Sequence, residues 1–93
     1  MKKILLIAAA STVLSMGSVQ ANPYDALGCA GCHGAGGKSS IPTYPSLNGQ
    51  QAAYTVKQLK DFQSGARKDA TMGAMAGLAA GQEQAIADYL AAQ

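Results

Sequence analysis

Cys29-Ala30-Gly31-Cys32-His33 is the stretch that decides how this 93-residue chain is read. Cys29 and Cys32 are its only cysteines, and His33 is its only histidine. The uninterrupted C-x-x-C-H spacing predicts covalent attachment of one c-type haem. Two thiols add across the two vinyl groups of the porphyrin, and the next residue brings an imidazole to the iron. Small Ala30 and Gly31 let the backbone lie close to the macrocycle. Other readings of the pair fit less well. A thioredoxin-like dithiol needs a βαβ pattern around it, and the flanking sequence shows none. Structural zinc takes four ligands, whereas this cluster offers Cys29, Cys32 and His33 crowded together. A disulfide across so tight a loop is strained.

Upstream of this motif, Met1-Lys2-Lys3 followed by the apolar run from Ile4 predicts a secretory signal peptide over residues 1–21, with Val19-Gln20-Ala21 as the cleavage site. The run is too short and too interrupted by Ser and Thr to serve as a membrane anchor. The expected mature domain is residues 22–93, exported to the periplasm, with no stable membrane insertion once the signal is removed. Within it Lys38, Lys57, Lys60, Arg67 and Lys68 balance Asp25, Asp61, Asp69, Glu83 and Asp88. The formal charge of +2 on the whole chain comes from Lys2 and Lys3. That balance gives no basis for nucleic acid as a partner or for binding an anionic membrane surface. So small a domain, with much of its apolar content in alanine, has little core of its own. A covalently held haem would supply the missing apolar mass.

Downstream, the pattern is helical throughout. Asn22 caps a short first helix with Pro23 in its first turn, running into the C-x-x-C-H. Gly34 to Ser40 is a loop, Ile41 to Leu47 is extended by its prolines, and Asn48-Gly49 is a turn. Gln50 to Ser64 forms a helix whose inward stripe includes Tyr54 or Ala53, Val56, Leu59 and Phe62 or Gln63, stopped by Gly65. Residues 66–80 read as a glycine- and alanine-rich connection holding Met72 and Met75. A last helix starts near Gly81, with Gln84 reaching back as its cap and Ile86, Tyr89 and Leu90 as its buried stripe. The class is all-α: three to four helices wrapped around one haem.

With no second histidine, the soft ligand left for the other side of the iron is a methionine thioether. Met1 and Met16 are lost with the signal peptide, which leaves Met72, with Met75 as the alternative. A methionine ligand raises the reduction potential relative to a second histidine. Either methionine could instead fill a gap in the core.

These residues resemble the class I cytochromes c, and among them the small bacterial group of cytochrome c553 and the single halves of cytochrome c4. The likeness rests on Cys29-Ala30-Gly31-Cys32-His33-Gly34, on Pro45-Ser46-Leu47-Asn48-Gly49-Gln50, on Tyr54, Gln58-Leu59, Phe62, Gly65 and Arg67, and on Met72 with Ile86 and Asp88-Tyr89-Leu90. The resemblance implies His33 and Met72 as axial ligands, Pro45 as the carbonyl that orients the imidazole, and Arg67 beside a haem propionate. An exposed loop arginine is the plainer reading of Arg67. Tyr54 and Leu59 complete the expected pocket, although Tyr54 also suits a helix-crossing role. Two departures stand out. The first helix is short, so Tyr24 and Leu27 against Tyr89 and Leu90 are expected to be what remains of its packing on the last helix. The span from Met72 to Tyr89 is one residue short of the family spacing, which keeps Met75 open.

A haem iron with both axial places filled by protein moves single electrons and binds substrate poorly. The expectation is therefore a periplasmic monohaem carrier and not an enzyme. Its partners would be redox proteins: a membrane oxidoreductase and a terminal oxidase or reductase. Two other readings are an electron-outlet subunit of a dehydrogenase complex and a haem ligand-binding or sensor domain with an open sixth site. The surface near the haem edge is expected to be small and uncharged, formed by Ala30, Gly31, Ala35, Gly36, Gly73, Ala74, Ala76 and Gly77.

Overall fold

The computed structural model describes residues 22–93; the signal peptide expected over 1–21 lies outside the described residues. Among the described residues there are five α-helices and no strand: α1 (Pro23–Ala26), α2 (Ala30–His33), α3 (Ala52–Ser64), α4 (Ala70–Leu78) and α5 (Glu83–Ala91), with a 3₁₀ turn at Ala35–Gly37. The longer helices α3, α4 and α5 form the body. The single turns α1 and α2 carry the cysteine motif against it.

The Asn22 side chain caps α1 by accepting from the Asp25 amide at 3.0 Å. The helix does not run unbroken into the motif, because Gly28 takes φ +83° and α2 starts afresh at Ala30. Ile41 to Tyr44 is a turn closed by a 3.0 Å bond from the Tyr44 amide to the Ile41 carbonyl, with Pro42 at its second position. Only residues 45–47 of the segment expected to be extended lie outside a turn or bend.

The larger correction is α4. Residues 70–78 are a helix, where a connection was expected. The Asp69 carboxylate caps it by accepting from the Met72 amide at 2.8 Å, and its alanines favour helix. Gly73 sits where α4 closes on α3: a Cβ there would lie 4.0 Å from the Phe62 carbonyl oxygen. The cap of α5 also differs. Gln84 donates along the helix to Asp88 at 2.9 Å, and Glu83 is the residue that reaches back, accepting from the Gly81 amide at 3.1 Å.

The core is Tyr24, Ala79, Ile86 and Leu90, with Leu27, Leu47, Leu59 and Tyr89 packed on it. The Tyr24 and Tyr89 rings stack with centroids 5.5 Å apart, so the shortened α1 still packs on α5 as expected. The Tyr24 hydroxyl donates to the Gly34 carbonyl at 2.6 Å. Burial, then neighbouring Cys29, pushes its pKa up to about 12. The Gly37 carbonyl accepts from the amides of Leu47 at 2.7 Å and Asn48 at 3.2 Å, and the Gly49 amide donates to the Leu90 carbonyl at 2.8 Å. These bonds fix the 41–49 segment to the end of α5, and so place Pro45 in front of His33.

Candidate functional site

A cleft of about 620 Å³ runs through the middle of the fold. Its walls come from α2, the 43–47 segment, α3, the 67–69 connection, α4 and the Ile86 and Leu90 side of α5. The volume falls within the usual range of roughly 300–1,000 Å³ for ligand and cofactor sites. Leu47, Leu59, Phe62, Ile86 and Leu90 make much of the wall apolar.

Cys29, Cys32 and His33 all line this cleft. Cys29 is half-buried, Cys32 is exposed, and no disulfide joins them. Burial pushes the Cys29 thiol pKa up, opposed by its own backbone hydrogen bond and assisted by Asp25. Dithiol oxidoreductases show the reverse, a depressed thiol that supplies thiolate. His33 is buried, with its Nδ1 2.8 Å from the Pro45 carbonyl oxygen. A carbonyl only accepts, so Nδ1 carries the proton and Nε2 keeps its lone pair for a metal. This is the outer-shell arrangement that orients ligating histidines. The Tyr44 ring stands edge-on to the imidazole, centroids 6.5 Å apart.

Met72 and Met75 are both half-buried and both line the cleft. Three residues apart on α4, they share one helix face. Arg67 is exposed at the cleft wall. Its guanidinium lies 4.6 Å from the centre of the Phe62 ring and its Nη1 donates to Gln58 Oε1 at 2.8 Å. The single ion pair among the described residues is Lys57–Asp61, so the Arg67 charge has no carboxylate partner there. Leu59 belongs to both core and cleft. Tyr54 borders the cleft but is 49% exposed, on the rim and not in the interior.

Sequence reasoning passed over Thr55. It is the buried residue of α3, and its hydroxyl donates to Gln50 Oε1 at 2.6 Å, with both residues in the cleft wall. Its position four residues before Leu59 was the available signal. Tyr24 was read only as core but also lines the cleft. Of the small residues expected on the surface, Gly31, Ala35, Ala74 and Gly77 are exposed, whereas Ala76 is fully buried between helices.

Two thiols, an imidazole with a free nitrogen and two thioethers thus converge on one largely apolar cleft, a donor set that fits haem c. The cytochrome c family model matches residues 21–92, and the chain belongs to that family. Its cofactor is haem c, covalently attached, and Cys29 to His33 form the attachment motif. Among curated relatives, the chain is 38% identical over 93 residues to a thiosulfate dehydrogenase electron acceptor of Thiomonas intermedia, covering 96% of this chain and 43% of the relative. It is 37% identical over 78 residues to cytochrome c4 of Pseudomonas aeruginosa, covering 83% and 39%. It is 42% identical over 64 residues to the cytochrome subunit of sulfide dehydrogenase of Chlorobaculum tepidum, covering 68% and 57%. The chain thus spans about two fifths of the first two relatives and somewhat over half of the third.

Proposed function

We propose that this chain is a soluble periplasmic electron carrier whose haem iron is held by His33 and Met72. When bound, the haem supplies a one-electron redox centre. The observation that carries the reading is the 2.8 Å approach of His33 Nδ1 to the Pro45 carbonyl. It fixes the ring so that only Nε2 is left to coordinate, in a cleft whose far helix presents methionine thioethers. Met72 is the better placed of the two. Its own amide is held by the Asp69 carboxylate in the first turn of α4, so the backbone that carries its thioether is fixed. Met75, one turn on, packs as apolar wall.

The other residues each do part of the work. Cys29 and Cys32 would hold the macrocycle through its vinyl groups, and exposed Cys32 places the attachment point at the surface. Arg67, steadied by Phe62 and Gln58, brings an uncompensated positive charge to the wall, suited to a propionate. Leu59, Ile86 and Leu90 exclude water. Pro45 and Tyr44 keep the imidazole oriented. Small exposed residues beside the motif suit brief, weakly electrostatic contact with redox partners. Among the described residues no helix is long and apolar enough to cross a membrane.

The names of two relatives favour a second reading, an electron acceptor dedicated to a dehydrogenase of reduced sulfur compounds. Reduction of this protein by such a dehydrogenase, with stable co-purification, would select it over a freely shuttling carrier.

The test of the site is the visible spectrum of the haem-matured protein, oxidised and reduced, beside Met72→Ala and Met75→Ala. The expected result is the weak far-red band of methionine on ferric iron, lost in Met72→Ala and kept in Met75→Ala. The reverse pattern moves the ligand to Met75. A high-spin spectrum in the unsubstituted protein, with ready carbon monoxide binding, refutes the carrier reading in favour of an open-site sensor.

A further inference from the structure

Gln63 and Glu83 form a junction that the cleft does not use. The Gln63 carboxamide, near the end of α3, spends both of its N–H groups. It donates at 2.8 Å to the Ala76 carbonyl on α4 and at 2.8 Å to Glu83 Oε2 at the start of α5. The other Glu83 oxygen accepts from the Gly81 amide at 3.1 Å. Glu83 is 9% exposed and Ala76 is fully buried. One side chain therefore joins three helices: a carbonyl from the negative end of α4 and a carboxylate at the positive end of α5. Among the described residues this is the only side-chain hydrogen bond from α3 to α4. The joined carbonyl belongs to the residue next to Met75 and sits one turn beyond Met72.

We propose that Gln63 and Glu83 are positioning residues for the axial methionine, holding α4 against α3 and α5 and so setting how readily the thioether leaves the iron. The proposal rests on the methionine-ligated reading above. Asp69 fixes the start of α4 and Gln63 fixes its far end. Release of the Gln63 junction loosens the far half of α4 from α3 and leaves the capped first turn alone to hold the helix that carries the methionine. Apolar packing shares this task only through small or flexible side chains, the buried Ala76 and the half-buried Met72 and Met75.

The experiment is an imidazole titration of the ferric, haem-matured protein, following loss of the methionine–iron band well below the unfolding temperature. External imidazole binds only where the methionine has left. Gln63→Leu, which removes both bonds, is expected to tighten imidazole binding about tenfold, and Glu83→Leu, which leaves the bond to Ala76, by a smaller factor. The double variant should add little to Gln63→Leu alone, since Gln63 makes both bonds of the junction. Glu83→Gln keeps an acceptor facing Gln63 and should restore affinity to within about threefold of the unsubstituted protein. Tyr89→Ala removes the ring stacked on Tyr24, away from this junction. It should lower the unfolding temperature with imidazole affinity unchanged. Unchanged affinity in Gln63→Leu and Glu83→Leu, while the band is present, overturns the proposal and leaves the ligand reading intact. Equal tightening by Tyr89→Ala overturns it as well, because general loosening would then suffice. If the unsubstituted protein lacks the methionine band, both readings fail together.

Discussion

Replacing Gly37 by alanine is expected to cost this protein a large part of its stability, and the structure supplies the terms. Gly37 is buried at φ +80°. A side chain in that left-handed region costs about 1–2 kcal/mol. The added Cβ would also lie 2.7 Å from Leu90 Cδ2 and 2.8 Å from the Asn48 amide nitrogen. Leu90 is 1% exposed and cannot swing clear, so overpacking adds about 1–3 kcal/mol. If the backbone yields instead, the bonds from Leu47 and Asn48 to the Gly37 carbonyl weaken at about 1 kcal/mol each. Either way the total is about 2–5 kcal/mol, against a stability of roughly 4–11 kcal/mol for a domain of this size. Gly65→Ala is the matched control. Gly65 caps α3 at φ +85°, and the nearest atom to an added Cβ is Lys68 Nζ at 3.9 Å. It should show only the left-handed cost of about 1–2 kcal/mol. The assay is urea unfolding of the ferric holoprotein by far-ultraviolet circular dichroism, with m-values compared to verify a common transition. Equal losses for the two variants would refute the claim that the contact with Leu90 and Asn48 sets the cost.

Further outcomes can be checked on the same preparation. Tyr24→Phe removes the 2.6 Å bond to the Gly34 carbonyl but keeps the stacked ring; a loss of about 1 kcal/mol in urea unfolding is expected. The Glu83 carboxyl is held below the ordinary carboxylate range, first by the Gln63 hydrogen bond, then by its own and the Gly81 amides and by Lys60, with burial opposing. A depressed folded-state pKa contributes stability that is complete above the ordinary carboxylate range and is lost as pH falls through the lower folded value. The fall in unfolding temperature over that acid window should therefore be smaller in Glu83→Gln than in the unsubstituted protein. Finally, Cys29→Ser with Cys32→Ser prevents covalent attachment and leaves the cleft without its apolar filling. Far-ultraviolet circular dichroism should then show little helix, and native-like helix content without haem would contradict the view that the cofactor completes the core.

The cysteine motif, the short capped first helix, the long α3 and the stripe of α5 were all legible because each is written in local chemistry. A cap, a turn or a stop residue lies within a few positions of what it controls. The α4 helix was missed because Gly73 and Gly77 outweighed Asp69 as its cap. Only the packed structure shows that Gly73 is small where α4 meets α3. Tyr54 and Thr55 were confused for a related reason. Adjacent residues on a helix differ by about 100° in direction, and the aromatic ring drew attention to the position that proves to be on the rim. Gln63 and Glu83 could not be paired from the sequence at all, since their contact depends on where two turns bring α5. Spacing favoured Met72 over Met75, but the helix puts both on one face, so position along the chain does not by itself separate them.

Ile86 and Leu90 serve the core and the cleft wall at once, and this has a consequence in time. The two thiols lie far upstream of α5 in the chain, so during synthesis they emerge well before the wall that will stand behind the cofactor. Attachment at Cys29 and Cys32 and enclosure by α5 thus draw on separate parts of the chain. Closing the intervening loop costs an entropy that grows only slowly with its length, and burial of haem against Ile86 and Leu90 offsets it. A substitution in α5 is therefore expected to weaken enclosure of the cofactor while the attachment motif keeps its thiols and imidazole.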